Sequence, residues 1–120
     1  MQISLHRVIP LPIVELPHKD SQIWEAENID FQRNRSYLIN AASGKGKTSL
    51  LSTIYGIRKD YRGEVLIDNQ DIRKFSLIQW SEIRKRKLSY IFQGIRLFDE
   101  LSALENILLK NKLTKNRDAE

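Results

Sequence analysis

Cysteine is missing from all 120 residues. That excludes disulfides and thiolate metal sites and fits a reducing compartment. No run approaches the roughly 18 consecutive apolar residues that a membrane-spanning helix requires. The opening stretch to Pro17 is interrupted by His6, Arg7 and Glu15 and holds all three prolines of the chain. It therefore lacks the charged-then-apolar layout of a secretion signal, and a cytoplasmic location is the expectation. Five glycines and three prolines are too few for a low-complexity linker, and no internal repeat is present. What is there is an ordinary globular balance, 41% hydrophobic and 29% charged, sufficient for one domain or part of one. The net charge of +5 favours anions. Nucleotide, nucleic acid and anionic lipid all qualify, so charge alone selects none of them.

Apolar patterning predicts a strand over Ile3–Ile9, ending at Pro10 and Pro12, and a second over Ile23–Phe31 after a polar connection at Pro17–Gln22. Asn34–Arg35 reads as a turn. Tyr37–Ile39 is a short apolar run of the kind that forms a strand covered on both faces. From Lys47, the residues Thr48, Leu50, Leu51, Ile54 and Tyr55 fall at helical spacing, with Gly56 placed to stop the helix. Gly63–Asp68 alternates as a strand and Asp68–Asn69 as a turn. Ser76 with Gln79 forms a capping-box pattern for a helix reaching about Arg86. Leu88–Phe92 is a further apolar strand candidate. Ser102 with Glu105 is a second capping box, ahead of Leu104, Ile107 and Leu108 on one helical face.

Chemistry is concentrated in Ala41-Ala42-Ser43-Gly44-Lys45-Gly46-Lys47-Thr48. The phosphate-loop pattern is Gly, four residues, then Gly-Lys-Ser/Thr. Small residues let successive backbone N–H groups surround a phosphate, and the following helix presents the positive end of its dipole. The expected ligand is ATP with Mg²⁺. Ala42, Ser43, Gly44, Lys45, Gly46, Lys47, Thr48 and Ser49 are expected to bind it, with Lys47 on the β- and γ-phosphates and Thr48 on the metal. Ala41 departs from the pattern, which asks for glycine there. A Gly-Lys-rich surface loop arising by chance is the bland alternative. The placement between an apolar run and a helical pattern argues against it.

A second landmark narrows the class. Leu88-Ser89-Tyr90-Ile91-Phe92-Gln93, followed by the run from Leu97-Phe98-Asp99-Glu100 to Leu104-Glu105-Asn106-Ile107, resembles the Q-loop region of ATP-binding cassette (ABC) ATPases. Gly63-Glu64-Val65-Leu66-Ile67-Asp68 resembles the same family's intervening segment. The run Phe98 to Asn106 is closest in flavour to the lipoprotein-release, macrolide-export and cell-division group. The resemblance implies an α/β fold of the P-loop NTPase type. Antiparallel strands and a strand–loop–helix unit would be present, and the core sheet would be incomplete.

It also implies that Gln93 is a catalytic residue and Mg²⁺ ligand, and that Gly94–Leu104 receives a membrane subunit. A second ATPase subunit would pair with this one on the inner face of the membrane. For the adenine, both His18 and Trp24 lie near the expected place of a stacking aromatic. Trp24 on a strand is more often a core residue than a stacking one.

The family's later parts have no counterpart here. Val65-Leu66-Ile67-Asp68 continues with Asn69, and Arg96 interrupts the apolar run before Asp99-Glu100. Leu101-Ser102 precedes Ala103-Leu104 and not two glycines, and His6 and His18 both come before the phosphate loop. Residues 1–120 thus read as the N-terminal part of a nucleotide-binding domain. It carries the phosphate loop and Q-loop but not the Asp-Glu strand, the Leu-Ser-Gly-Gly-Gln signature or the switch histidine. Such a chain is expected to bind ATP and hydrolyse it negligibly.

The clusters Arg84-Lys85-Arg86-Lys87 and Lys110–Arg117 read as solvated helix ends, with anionic lipid or nucleic acid as alternatives. A DNA-repair ATPase of the same superfamily, or a non-hydrolysing nucleotide-binding protein, is the rival functional reading. The short Glu-Asn helix start after Gln93 favours the transporter, and no nucleic-acid partner is expected.

Overall fold

A computed structural model describes residues 1–17, 20–94 and 96–114. The chain divides into two units, Met1–Phe75 and Ser76–Glu120. The first is built on a four-stranded antiparallel sheet in the order β2-β1-β3-β4, comprising β1 (Ile3–Pro10), β2 (Asn28–Phe31), β3 (Tyr61–Ile67) and β4 (Gln70–Asp71). A short helix α1 (Leu11–Val14) leaves the end of β1, and helix α2 (Lys47–Ile54) packs on the sheet.

β1 is the central partner. Leu5 pairs with Ile29 on one side and Val65 on the other, and Ile3 pairs with Phe31 and Ile67. Leu5 and Val8 are both only 2% exposed, although an unbroken period of two would put them on opposite faces. An irregularity between His6 and Ile9 shifts the register against β3, with Arg7 at φ 49° beside Gly63 at φ 83°. A β-bulge resets side-chain alternation in this way. Leu50, Thr53 and Ile54 of α2 close the core against the sheet. The buried Thr53 hydroxyl donates to the Ser49 carbonyl at 2.8 Å, so no orphaned polar group is left there.

Several elements formed where the sequence put them. Asp68 and Asn69 both adopt positive φ, 49° and 65°, and join β3 to β4 in a two-residue turn of the type favoured in hairpins. Gly56, at φ 76°, ends α2, and the next residue's N–H returns to the Ser52 carbonyl. Asp71 caps a 3₁₀ turn (Ile72–Lys74) by accepting from the Arg73 N–H. Burial pushes its carboxyl up, but hydrogen bonds and charge from Arg73, with Lys74 behind, outweigh this and hold it below its ordinary value.

In the second unit, helix α3 (Leu77–Arg86) opens with a complete Ser76/Gln79 capping box. Trp80 is its buried anchor, and the Arg84 guanidinium lies 4.7 Å from the indole centroid. Helix α4 (Ala103–Thr114) opens with the Ser102/Glu105 box. Those Ser102 donors, the hydroxyl first, lower the pKa of Glu105.

Three expectations are corrected. Segment 23–31 is a strand only from Asn28. Before that, the Ser21 hydroxyl accepts from the Ile23 and Trp24 N–H groups and bends the chain into a turn. Segment 37–39 is not a covered strand, and Leu38 is 92% exposed. A strand needs a neighbouring ladder, and no described strand pairs with this segment. The strand–loop–helix unit of the expected α/β fold is therefore represented by its loop and helix alone. Segment 88–92 is likewise not a strand, and Ile91 is 93% exposed. Leu104 and Ile107, read as sharing one helical face, are exposed.

Gly63→Ala should destabilise the first unit strongly. An added Cβ would lie 2.3 Å from the Arg7 carbonyl oxygen at a left-handed φ, and such backbone strain alone costs about 1–3 kcal/mol. Leu5→Ala should cost about 2–5 kcal/mol, whereas Leu11→Ala, on a half-exposed side chain, should cost little. Urea midpoints would measure all three. With Asp71 depressed in the folded chain, its contribution is complete above the ordinary carboxyl range and fades as pH falls through the folded value. Asp71→Asn should therefore flatten part of the stability loss expected as pH falls through and below the ordinary carboxyl range.

Candidate phosphate-binding site

The site grows from how the chain enters α2. Gly44 and Gly46 take φ 76° and 92°, the left-handed conformations that other residues adopt only under strain. Gly46 is the N-cap of α2, and with no side chain it supplies no capping hydrogen bond. The N–H of Leu50 is the first to find the helix, donating to the Gly46 carbonyl at 2.9 Å. The N–H groups of Lys47, Thr48 and Ser49 thus have no acceptor within the helix. The first turn contains no acidic residue, so the positive end of the dipole is not neutralised locally. Ala41, the departure from the glycine pattern, does not need left-handed backbone. Its methyl is tolerated there.

Lys47 folds back over the loop. Its ammonium donates to the Ala41 carbonyl and, at 3.0 Å, to the Ala42 carbonyl. The Lys45 N–H donates to the Ala42 carbonyl at 3.3 Å, closing the turn through Ser43 and Gly44. Nothing lies within 4 Å of where a Gly44 Cβ would be, so that side of the loop is open. Gly46 is enclosed: a Cβ there would meet Ile13 Cδ1 at 2.9 Å and Trp24 Cζ2 at 3.0 Å. A cleft of about 1360 Å³ opens beside the loop, lined among others by Ile13, Trp24, Tyr37, Lys45, Gly46 and Lys47.

The expected site residues are distributed unevenly. Residues 42–49, with Lys47 and Thr48, lie together on the loop and the first turn of α2. Gln93 belongs to the second unit and has an exposed side chain. His18 lies outside the described residues. Trp24 is neither on a strand nor in the core. It sits half-buried in the turn capped by Ser21, and its Nε1–H donates to the Lys45 carbonyl at 3.2 Å. Sequence reasoning missed that contact with the loop, and that of Ile13. Neither leaves a periodic trace, because each joins segments 20 or more residues apart.

The arrangement fits a bound triphosphate. It combines unpartnered helix N–H groups, two glycines in strained-for-others conformations and an ammonium on the same turn. Among the described residues no cluster of three His, Cys, Asp or Glu side chains could hold a metal alone. A Mg²⁺ brought in on phosphate oxygens needs no such cluster, since it keeps several waters and takes few protein ligands. The exposed Thr48 side chain, on the first turn, is available to be one of them. Among the described residues no helix is long and apolar enough to cross a membrane.

Comparison with known proteins gives a consistent picture. The chain is 32% identical over 94 residues to the bacitracin export ATP-binding protein of Halalkalibacterium halodurans, covering 78% of this chain and 37% of that protein. It is 35% identical over 94 residues to the lipoprotein-releasing system ATP-binding protein of Syntrophotalea carbinolica, covering 78% and 38%. It is also 35% identical over 88 residues to the intermembrane phospholipid transport system ATP-binding protein of Haemophilus influenzae, covering 73% and 33%. The chain therefore spans well under half the length of these relatives. No solved structure matches it. A sequence model of the ABC transporter family matches residues 25–120, from just before β2 through α4 and beyond, and the chain belongs to that family.

Proposed function

We propose that residues 1–120 form the N-terminal part of the nucleotide-binding domain of an ABC transporter and bind Mg·ATP through the loop at 42–49. The observation that carries this reading is the entry to α2. Gly44 and Gly46 turn the backbone at left-handed φ, and the first turn of α2 follows with Lys47 beside it. Bound there, ATP would place its phosphates against the backbone N–H groups of residues 44–49, with the Lys47 ammonium on the β- and γ-phosphates and the Thr48 hydroxyl on Mg²⁺. To reach them, Lys47 exchanges its two carbonyl acceptors for phosphate oxygens, a stronger charge-assisted pairing.

Gln93 supplies a second Mg²⁺ contact in this proposal, directly or through water. The segment 94–104 would receive a membrane subunit, and a second ATPase subunit would complete the working dimer on the inner face of the membrane. The relatives' names cover bacitracin export, lipoprotein release and phospholipid transport. With cargoes that differ so widely, none is carried over to this chain. The 120 residues hold neither an apolar strand ending in Asp-Glu nor the Leu-Ser-Gly-Gly-Gln signature, so the chemical step lacks its water-orienting acid. Binding without efficient turnover follows.

Calorimetric titration should show Lys47→Ala weakening Mg·ATP by at least about tenfold, the worth of one charged hydrogen-bonding group. Equal affinity in the two chains would remove the proposal's basis. In a steady-state phosphate-release assay the 120-residue chain should show negligible turnover, and ATPase rates typical of the family would defeat that part of it.

A further inference from the structure

We propose that Trp24 is a positioning residue for the phosphate loop: its indole N–H, bonded to the Lys45 carbonyl, locks the Lys45–Gly46 peptide so that the Gly46 N–H remains available to a phosphate. This rests on the phosphate-loop reading above and goes beyond it by naming what holds the loop in shape.

Among the described residues every peptide is trans, so the Lys45 carbonyl and the Gly46 N–H point in opposite directions from one plane. Trp24 Nε1 donates to that carbonyl at 3.2 Å, which turns the Gly46 N–H to the side away from the indole. Glycine itself does not enforce this choice, because it accepts φ of either sign at little cost. Gly46 stands at φ 92°, and a flip of the preceding peptide would exchange the N–H for a carbonyl oxygen. A carbonyl there would repel phosphate where an amide attracts it.

The indole is itself held from below. The Ser21 hydroxyl accepts from the Trp24 N–H at 3.0 Å and from the Ile23 N–H at 3.2 Å, fixing the turn that carries the ring. Ile13 Cδ1 and Trp24 Cζ2 converge on Gly46, at 2.9 and 3.0 Å from the position of an added Cβ. The ring thus blocks movement of the loop towards the cleft wall while its N–H fixes the peptide orientation. This is a contact to backbone, so it acts on every phosphate-bearing ligand alike, whatever base is attached.

The test compares Mg·ATP with Mg·tripolyphosphate, which carries no base, on wild type, Trp24→Phe and Lys47→Ala chains by calorimetry. Phenylalanine keeps an aromatic ring but loses the donor and the outer part of the indole that faces Gly46. Trp24→Phe should bind both ligands about fivefold more weakly, the worth of one hydrogen bond, and by the same factor. A loss confined to ATP would mean that the ring touches the base, and no loss would mean that the bond is idle; either overturns the proposal. If wild type binds neither ligand better than Lys47→Ala does, the phosphate-loop reading fails first and the brace falls with it. Should Trp24→Phe not fold, a Trp80→Phe chain leaves Trp24 as the one indole. Its Nε1 proton should exchange with solvent more slowly than that of free tryptophan, and exchange at the free rate would overturn the brace.

Discussion

The two ladders of β1 are the constraint on which the first unit is assembled. With β2 on one side and β3 on the other, β1 fixes where its C-terminal end emerges and therefore where α1 lies. The Leu11 N–H donates to the Asp60 carbonyl at 2.9 Å, tying that exit to the residue just before β3. Ile13 is thereby set against Gly46, and α2 packs its Leu50 and Thr53 on the same sheet. A loop of small residues has almost no side chains with which to order itself. Its shape has to be imposed by neighbours, and these neighbours are placed by β1.

The bulge opposite Gly63 belongs to the same constraint. It lets residues separated by an odd number of positions, Leu5 and Val8, both enter the core. It also sets two left-handed residues, Arg7 and Gly63, against each other. Exposed ion pairs such as Arg7–Glu27 at 3.0 Å decorate this region but contribute little in high dielectric. Stability in the first unit comes from apolar burial between sheet and α2, and the charged residues mainly set the field around the loop. Lys45, Lys47 and the start of α2 make that field positive, with no acidic side chain in the first turn to cancel it.

Much of this was legible in the residues because it is local. Both capping boxes, at Ser76/Gln79 and Ser102/Glu105, formed as read, since each is a reciprocal bond across three residues. The Asp68–Asn69 turn and the Gly56 stop also formed, for these residues relieve a left-handed φ that others resist. The apolar runs at 37–39 and 88–92 misled for the opposite reason. Their composition states only that they favour burial, and burial needs a partner that no local pattern supplies.

By itself, then, the sequence determined the elements whose energetics close within a turn or two: the glycines that bend the loop, the lysine at the head of α2, the caps and the hairpin. It also carried the family resemblance, through the phosphate loop and the segments around Gln93 and Leu97–Ile107. Only the tertiary structure decided that the β1 alternation is reset by a bulge and that Trp24 leaves the predicted strand to hold the Lys45 carbonyl. Only there does Lys47 rest on the carbonyls of Ala41 and Ala42. The bulge and the Trp24 contact join residues distant along the chain, where no periodicity links the partners. The lysine contact, though short in sequence, depends on the path that the loop is made to take.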